Sequence, residues 1–152
     1  MFKNIYKNRR VLVTGHTGFK GSWLCSWLLD LGSNIGGYSL DIPTQPSHFE
    51  ALGLANHIKH YTGNICDKNS LQQVMEEFRP EIVFHLAAQP LVRKSYENPI
   101  STFETNAIGT LNILDCLRNS PTVAVAVLIT SDKCYENVEW LWGYRENDRL
   151  GG

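Results

Sequence analysis

Apolar residues along this chain fall into short β-branched runs that alternate with stretches of helical spacing. Arg10 to Thr14 is an apolar run closed by Gly15 and predicts a buried strand. From Phe19 to Leu31 the residues Trp23, Leu24, Trp27, Leu28 and Leu31 fall on one helical face, with Gly32 as the stop. Asn34 to Leu40 predicts a second strand, weakened by Gly36 and Gly37, and two prolines make Asp41 to Ser47 a loop. His48 to Leu54 predicts a short helix, and Ile58 to Tyr61 a third strand. Asp67 is placed to cap a helix in which Leu71, Val74, Met75 and Phe78 recur at helical spacing, and Pro80 ends it.

Ile82 to Ala87 is a fourth apolar run. A polar loop through Arg93, Lys94 and Asn98 leads to a long helix from Thr102 to Leu117, with Phe103, Ala107, Thr110, Leu111, Leu114 and Leu117 on a shared face. Val123 to Ile129 is nearly continuous β-branched sequence, as in a strand covered on both faces. Strands alternating with helices in this order predict an α/β fold of Rossmann type, a doubly wound parallel sheet with right-handed crossovers. After Thr130 no periodic pattern returns, and no internal repeat is present.

Composition narrows the classes without choosing among them. With 152 residues and 43% hydrophobic content, the chain is long enough for one domain with a core. Its net charge of −1 and lack of like-charge blocks argue against nucleic acid as a partner. The basic start, Lys3 to Arg10, precedes an apolar stretch that Thr14, Gly15 and His16 interrupt, so neither a signal peptide nor a membrane span is expected and the cytoplasm is the expected location. Cys25, Cys66, Cys116 and Cys134 are widely spread and read as reduced core or near-core thiols. His48, His57 and His60 are too loosely spaced for a zinc site, and no metal is expected; solvated or helix-capping roles fit them better.

Chemistry enters at the first strand–helix junction. Gly15, Gly18 and Gly21 follow the strand directly and open the helix. A dinucleotide pyrophosphate needs free backbone N–H groups at a helix N-terminus and no side chains where the backbone approaches it. The bland alternative, glycines that only permit a tight bend, is outweighed by this position. Asp41 lies twenty residues beyond Gly21 at the end of the second strand, where a carboxylate accepts hydrogen bonds from a ribose. NAD is therefore expected over NADP, although Lys20 beside the loop keeps NADP in play, and Asp41 before Ile42-Pro43 also reads as a turn residue.

The segments TGHTGFKGSWL from Thr14, FHLAAQPLV from Phe84, TNAIGTL from Thr105 and TSDKCYEN from Thr130 together resemble the extended short-chain dehydrogenase/reductases. Within that family, HTGFKGSWL and TSDKCYEN are most similar to the nucleotide-sugar 4,6-dehydratases that act on CDP-sugars. The resemblance implies that the backbone of Thr17, Phe19 and Lys20 holds the pyrophosphate, that Asp41 holds the ribose and that Asn64 and Ile65 flank the adenine. Relatives often carry Asp in place of Asn64. It further implies that Ala87, Ala88 and Gln89 line the nicotinamide side and that Asn106 stands near the catalytic groups; a local backbone hydrogen bond is the other reading of Asn106.

The implied reaction removes water from a nucleotide sugar and leaves a 4-keto-6-deoxy product, which requires a base at the 4-hydroxyl, a base at carbon 5 and an acid for the departing hydroxyl. By resemblance Ser131 bonds the sugar 4-oxygen and Asp132 is the general acid. Many relatives carry Glu at the next position, where this chain has Lys133. A lysine acts as a base only when its pKa is depressed, and the neighbouring Asp132 works against that, so Lys133 takes part directly or by positioning a sugar oxygen. A polar strand-end turn is the structural alternative for all three.

The family draws its principal base from a Tyr-x-x-x-Lys pair. Here Tyr96, Tyr135 and Tyr144 are followed four residues later by Ile100, Glu139 and Asp148, so no such pair is present. The expectation is an N-terminal portion that lacks the sugar-nucleotide-binding part, with Val123 to Ile129 left as an aggregation-prone sheet edge. The helix from Thr102 to Leu117 matches one that relatives use for dimerisation, and its apolar face can equally be used on the sheet. A truncated sugar-nucleotide epimerase and a non-catalytic nicotinamide-nucleotide-binding module are the competing readings.

Overall fold

The computed structural model describes residues 2–151, with the side chain of Asp132 outside the described set. Its sheet has five parallel strands: β1 Arg10–Thr14, β2 Asn34–Ser39, β3 Lys59–Thr62, β4 Ile82–His85 and β5 Val125–Leu128. They lie in the order β3-β2-β1-β4-β5, a doubly wound parallel sheet as the alternation of elements predicts. The direction of winding reverses between β1 and β4, which opens a crevice at the carboxyl ends of these two strands.

Strand periodicity divides the core into two layers. Leu12 points to one face with Val83, where α3 (Lys68–Phe78) and a later helix α6 (Gly109–Arg118) bring Leu71, Met75, Ile113 and Cys116. Val11 and Val13 point to the other face, where α1 (Phe19–Asp30) and the short α2 (His48–Ala51) bring Cys25, Leu28 and Phe49. Asp67 caps α3 as expected, its carboxylate accepting the Ser70 N–H at 3.1 Å.

Six expectations are corrected. The face of α1 turned to the sheet carries Gly21, Ser22, Cys25 and Leu28, whereas Trp23 and Trp27 are exposed. Close approach explains the offset: a Cβ on Gly21 would lie 2.1 Å from the Gly15 carbonyl oxygen, so only small residues fit there. Trp23 instead stacks on His48 with ring centres 4.2 Å apart, and Trp27 meets Phe2 edge-on.

The segment read as a polar loop is helical, with α4 at Val92–Glu97 and α5 at Pro99–Phe103. Asn98 between them accepts the Ser101 N–H on its side chain, and Pro99 occupies the first turn of α5. The helix expected from Thr102 is continuous from Pro99 to Arg118 but contains a π-helical turn, Glu104–Ile108, which rotates α6 relative to α5. Phe103, Leu111 and Leu114 are therefore exposed, and Gly109, Ile113 and Cys116 face the core.

The fifth strand is shorter than expected and, among the described residues, pairs with β4 alone, with Val125, Val127 and Ile129 exposed rather than covered on both faces. Cys134 is exposed, unlike the other three cysteines; Cys25 is buried, which pushes its thiol pKa up to about 12. Gly36 and Gly37, read as weakening β2, make room instead. A Cβ on Gly37 would lie 2.4 Å from the buried His16 ring, and one on Gly36 would lie 3.0 Å from Phe78.

Candidate functional site

The β1–α1 junction folds into a tight cradle. Gly15 has φ +72°, and a Cβ there would lie 2.8 Å from the Ala87 nitrogen, so the loop can press against the end of β4 only as glycine. Gly18 precedes α1 with no side-chain cap, and Phe19 and Lys20 are exposed in the first turn, where N–H groups have no intrahelical acceptor. The helix dipole favours an anion there.

Thr17 is buried and its hydroxyl donates to the Asp41 carbonyl at 2.5 Å, tying the loop after β2 to the glycine loop. The Asp41 side chain is left at an exposed position just beyond β2. His16, a residue the motif reading passed over, is wholly buried beneath the loop and bonds Ser39 Oγ at 2.9 Å and His60 Nδ1 at 2.6 Å. Burial, and secondarily His60, lowers its pKa from 6.5 to about 4. A polar residue between the strand-end Thr14 and the loop residue Thr17, opposite a Gly-Gly pair, was the available signal.

Asn64 and Ile65 follow β3 and separate in role. Asn64 is exposed, with its side-chain oxygen accepting the Cys66 N–H at 2.9 Å. The Ile65 side chain is in the core, packed toward Gly109, and its carbonyl accepts from Asn112 at 3.1 Å. On the other side of the cradle, Ala87 is half-buried and Ala88 exposed. Gln89 and Asn106 form a two-point clamp: the Gln89 N–H donates to Asn106 Oδ1 at 2.8 Å, and Asn106 Nδ2 donates to the Gln89 carbonyl at 3.1 Å. Asn106 lies in the π-helical turn, and both of its side-chain bonds reach backbone seventeen residues away rather than a local group.

Ser131 and Lys133 are exposed past the end of β5, and the Ser131 hydroxyl accepts the Lys133 N–H at 3.1 Å in a 3₁₀ turn, Asp132–Cys134. The role expected of the Asp132 carboxylate lies outside the described side chains. The chain then doubles back, with Tyr135 bridging antiparallel to Leu150 and Tyr135 stacked on Tyr144 at 5.0 Å. Lys133, Tyr135, Glu136 and Arg149 line a cleft of about 600 Å³ there. No group of acidic, His or Cys side chains among the described residues is arranged to hold a metal, and no helix among them is long and apolar enough to cross a membrane.

A family model for GDP-mannose 4,6-dehydratase matches residues 12–148. The chain belongs to that family. Within the dehydratase family it is 53% identical to the CDP-glucose 4,6-dehydratase of Salmonella typhimurium over 99% of this chain and 42% of the relative. It is 29% identical to the CDP-paratose 2-epimerase of Salmonella typhi over 86% of this chain and 39% of the relative. The chain thus spans about two fifths of the length of these curated relatives.

Among solved structures, the UDP-glucose 4-epimerase of Thermus thermophilus in complex with NAD superposes with TM-score 0.80 at 30% identity, over 93% of this chain and 44% of that one. The dTDP-glucose 4,6-dehydratase of Bacillus anthracis, also with NAD, gives TM-score 0.74 at 22% identity over 94% and 44%, which supports the fold. The extended short-chain dehydrogenase/reductase resemblance and the Rossmann-type sheet both stand.

Proposed function

We propose that this chain is the NAD-binding portion of a nucleotide-sugar 4,6-dehydratase whose substrate is CDP-glucose. The cradle carries the cofactor part of the reading: at Gly15 and Gly21 a single added carbon would collide with backbone, so only glycines let the loop fold this tightly at the winding reversal of the sheet. The residues there fit the group. The N–H groups of Phe19 and Lys20 would hold the pyrophosphate, Asp41 the adenosine ribose, Asn64 and the backbone at Ile65 the adenine edge, and Ala87, Ala88, Gln89 and Asn106 the nicotinamide side. Bound NAD supplies a reversible hydride acceptor, which makes an overall redox-neutral dehydration feasible.

Ser131 would hydrogen-bond the sugar 4-oxygen, Asp132 would protonate the departing 6-hydroxyl, and Lys133 would fix a sugar oxygen or take part in the elimination. The 53% identity to a CDP-glucose 4,6-dehydratase supports the choice of base and sugar. Exposed Phe103, Leu111 and Leu114 support the stretch from Thr102 to Leu117 as the place where two copies meet. These 152 residues contain no Tyr-x-x-x-Lys pair, so cofactor binding is the part of the reaction proposed for them.

Calorimetric titration with NAD tests this reading. Saturable binding that Gly18→Asp abolishes and Asp41→Ala weakens is the expected result. Binding that survives Gly18→Asp would remove the glycine cradle from the pyrophosphate site. In a longer chain carrying the tyrosine pair, Lys133→Met is expected to stop dehydration while leaving NAD affinity intact.

A further inference from the structure

We propose that His85 is a positioning residue for the nicotinamide side of the cradle: a neutral imidazole held in one tautomer that locks the end of β4 to the π-helical turn and so sets Gln89 and Asn106. The inference rests on the cofactor reading above and adds to it a residue placed behind the wall.

The proton positions follow from hydrogen-bond capacity. The Thr110 hydroxyl has one proton, and at 2.7 Å from the Asn106 carbonyl, which can only accept, that proton is committed. Toward His85 Nε2, 3.0 Å away, Thr110 must therefore accept, so Nε2 carries the ring proton. Nδ1 is then the acceptor, and it takes the Thr14 hydroxyl proton at 2.7 Å. The Thr14 oxygen is left to accept, and it receives the N–H groups of Leu86 and Ala87, each at 3.2 Å. From Thr14 at the head of the glycine loop to Asn106, each proton has one place.

The same chain reaches each part of the wall. It ends on the Asn106 carbonyl while that residue's side chain clamps Gln89 at two points. At its start it fixes Ala87, whose backbone closes over Gly15. The His85 carbonyl also accepts the Ile129 N–H at 3.0 Å, two residues before Ser131. A second ring proton on Nδ1 would face a Thr14 oxygen whose two acceptor sites are already filled. Burial alone lowers the His85 pKa from 6.5 to about 4, which keeps the ring neutral at physiological pH.

Titration of the whole chain with NAD and, separately, with ADP-ribose, which lacks nicotinamide, tests the assignment. Thr110→Val keeps the shape but can neither accept from His85 nor donate to Asn106, while Thr110→Ser keeps the hydroxyl. Thr110→Val is expected to remove about fivefold or more of the preference for NAD over ADP-ribose, with ADP-ribose affinity unchanged and Thr110→Ser restoring the preference. Imidazole nitrogen NMR of the wild type should show His85 neutral and protonated at Nε2. Equal loss of both ligands in Thr110→Val, no loss at all, or a proton on Nδ1 would overturn the inference. A wild-type chain that binds neither ligand would overturn the cofactor reading itself, and this inference with it.

Discussion

Val11–Val13 of β1 and Val125–Val127 of β5 are nearly the same tripeptide in the same sheet, and they live in opposite environments. The first is wholly buried between two helical layers, and in the second Val125 is 51% exposed. A β-branched run states what a strand is able to tolerate; what covers it depends on elements elsewhere in the chain. The central strands therefore carry the stability and the cradle, whereas the outer one contributes a ladder of hydrogen bonds with little burial behind it.

The largest test of that contrast is truncation. Leu12→Ala is expected to cost about 2–5 kcal/mol in urea unfolding, because it empties a site with neighbours on every side, and Val127→Ala should cost under about 1 kcal/mol. Comparable losses at the two positions would mean that β5 is covered in solution.

Acid should act on the same buried half. The unfolded chain protonates His16 and His85 near pH 6.5, and the folded one holds both neutral until about pH 4. More protons are then bound by the unfolded state, so stability falls as pH drops through this window and levels out below it, by on the order of 3 kcal/mol for each imidazole at the limit. Thermal melts across pH 4 to 7 check this, and replacing either histidine should flatten the slope.

A smaller effect is expected from Gly37→Ala, whose new methyl presses on the His16 ring, at about 1–3 kcal/mol. The smallest effect on folding is expected at the edge. Val127→Lys should leave the melting midpoint nearly unchanged while reducing self-association in sedimentation, since a charge on an edge strand discourages edge-to-edge pairing.

Much of this architecture was legible from residues alone, for identifiable reasons. β1 and β2 have the sequence of buried strands, Asp67 is a cap with a periodic helix behind it, and the glycines stand where a strand meets a helix. The α1 register was not legible, because the helix approaches β1 so closely that small residues face inward and tryptophans find partners at the surface. α4 and α5 were missed although Asn98-Pro99 is a cap followed by a first-turn proline; the polar composition of Arg93 and Lys94 masked it. In the site, the motif named the cradle, but neither His16 nor His85 was singled out, since each acts through partners more than twenty residues away in sequence.

The π-helical turn at Glu104–Ile108 behaves as a phase shifter. An α-helix advances about 100° per residue, so one additional residue in a turn resets the angular count for all that follows. Upstream, the count is set by the joint at Asn98; downstream, by the core contacts of Ile113 and Cys116. Asn106 sits where the two counts disagree, which turns a mismatch between two helical registers into a fixed bearing for one amide. Removal of a single residue within this turn would let the registers agree, and the amide would then be aimed elsewhere.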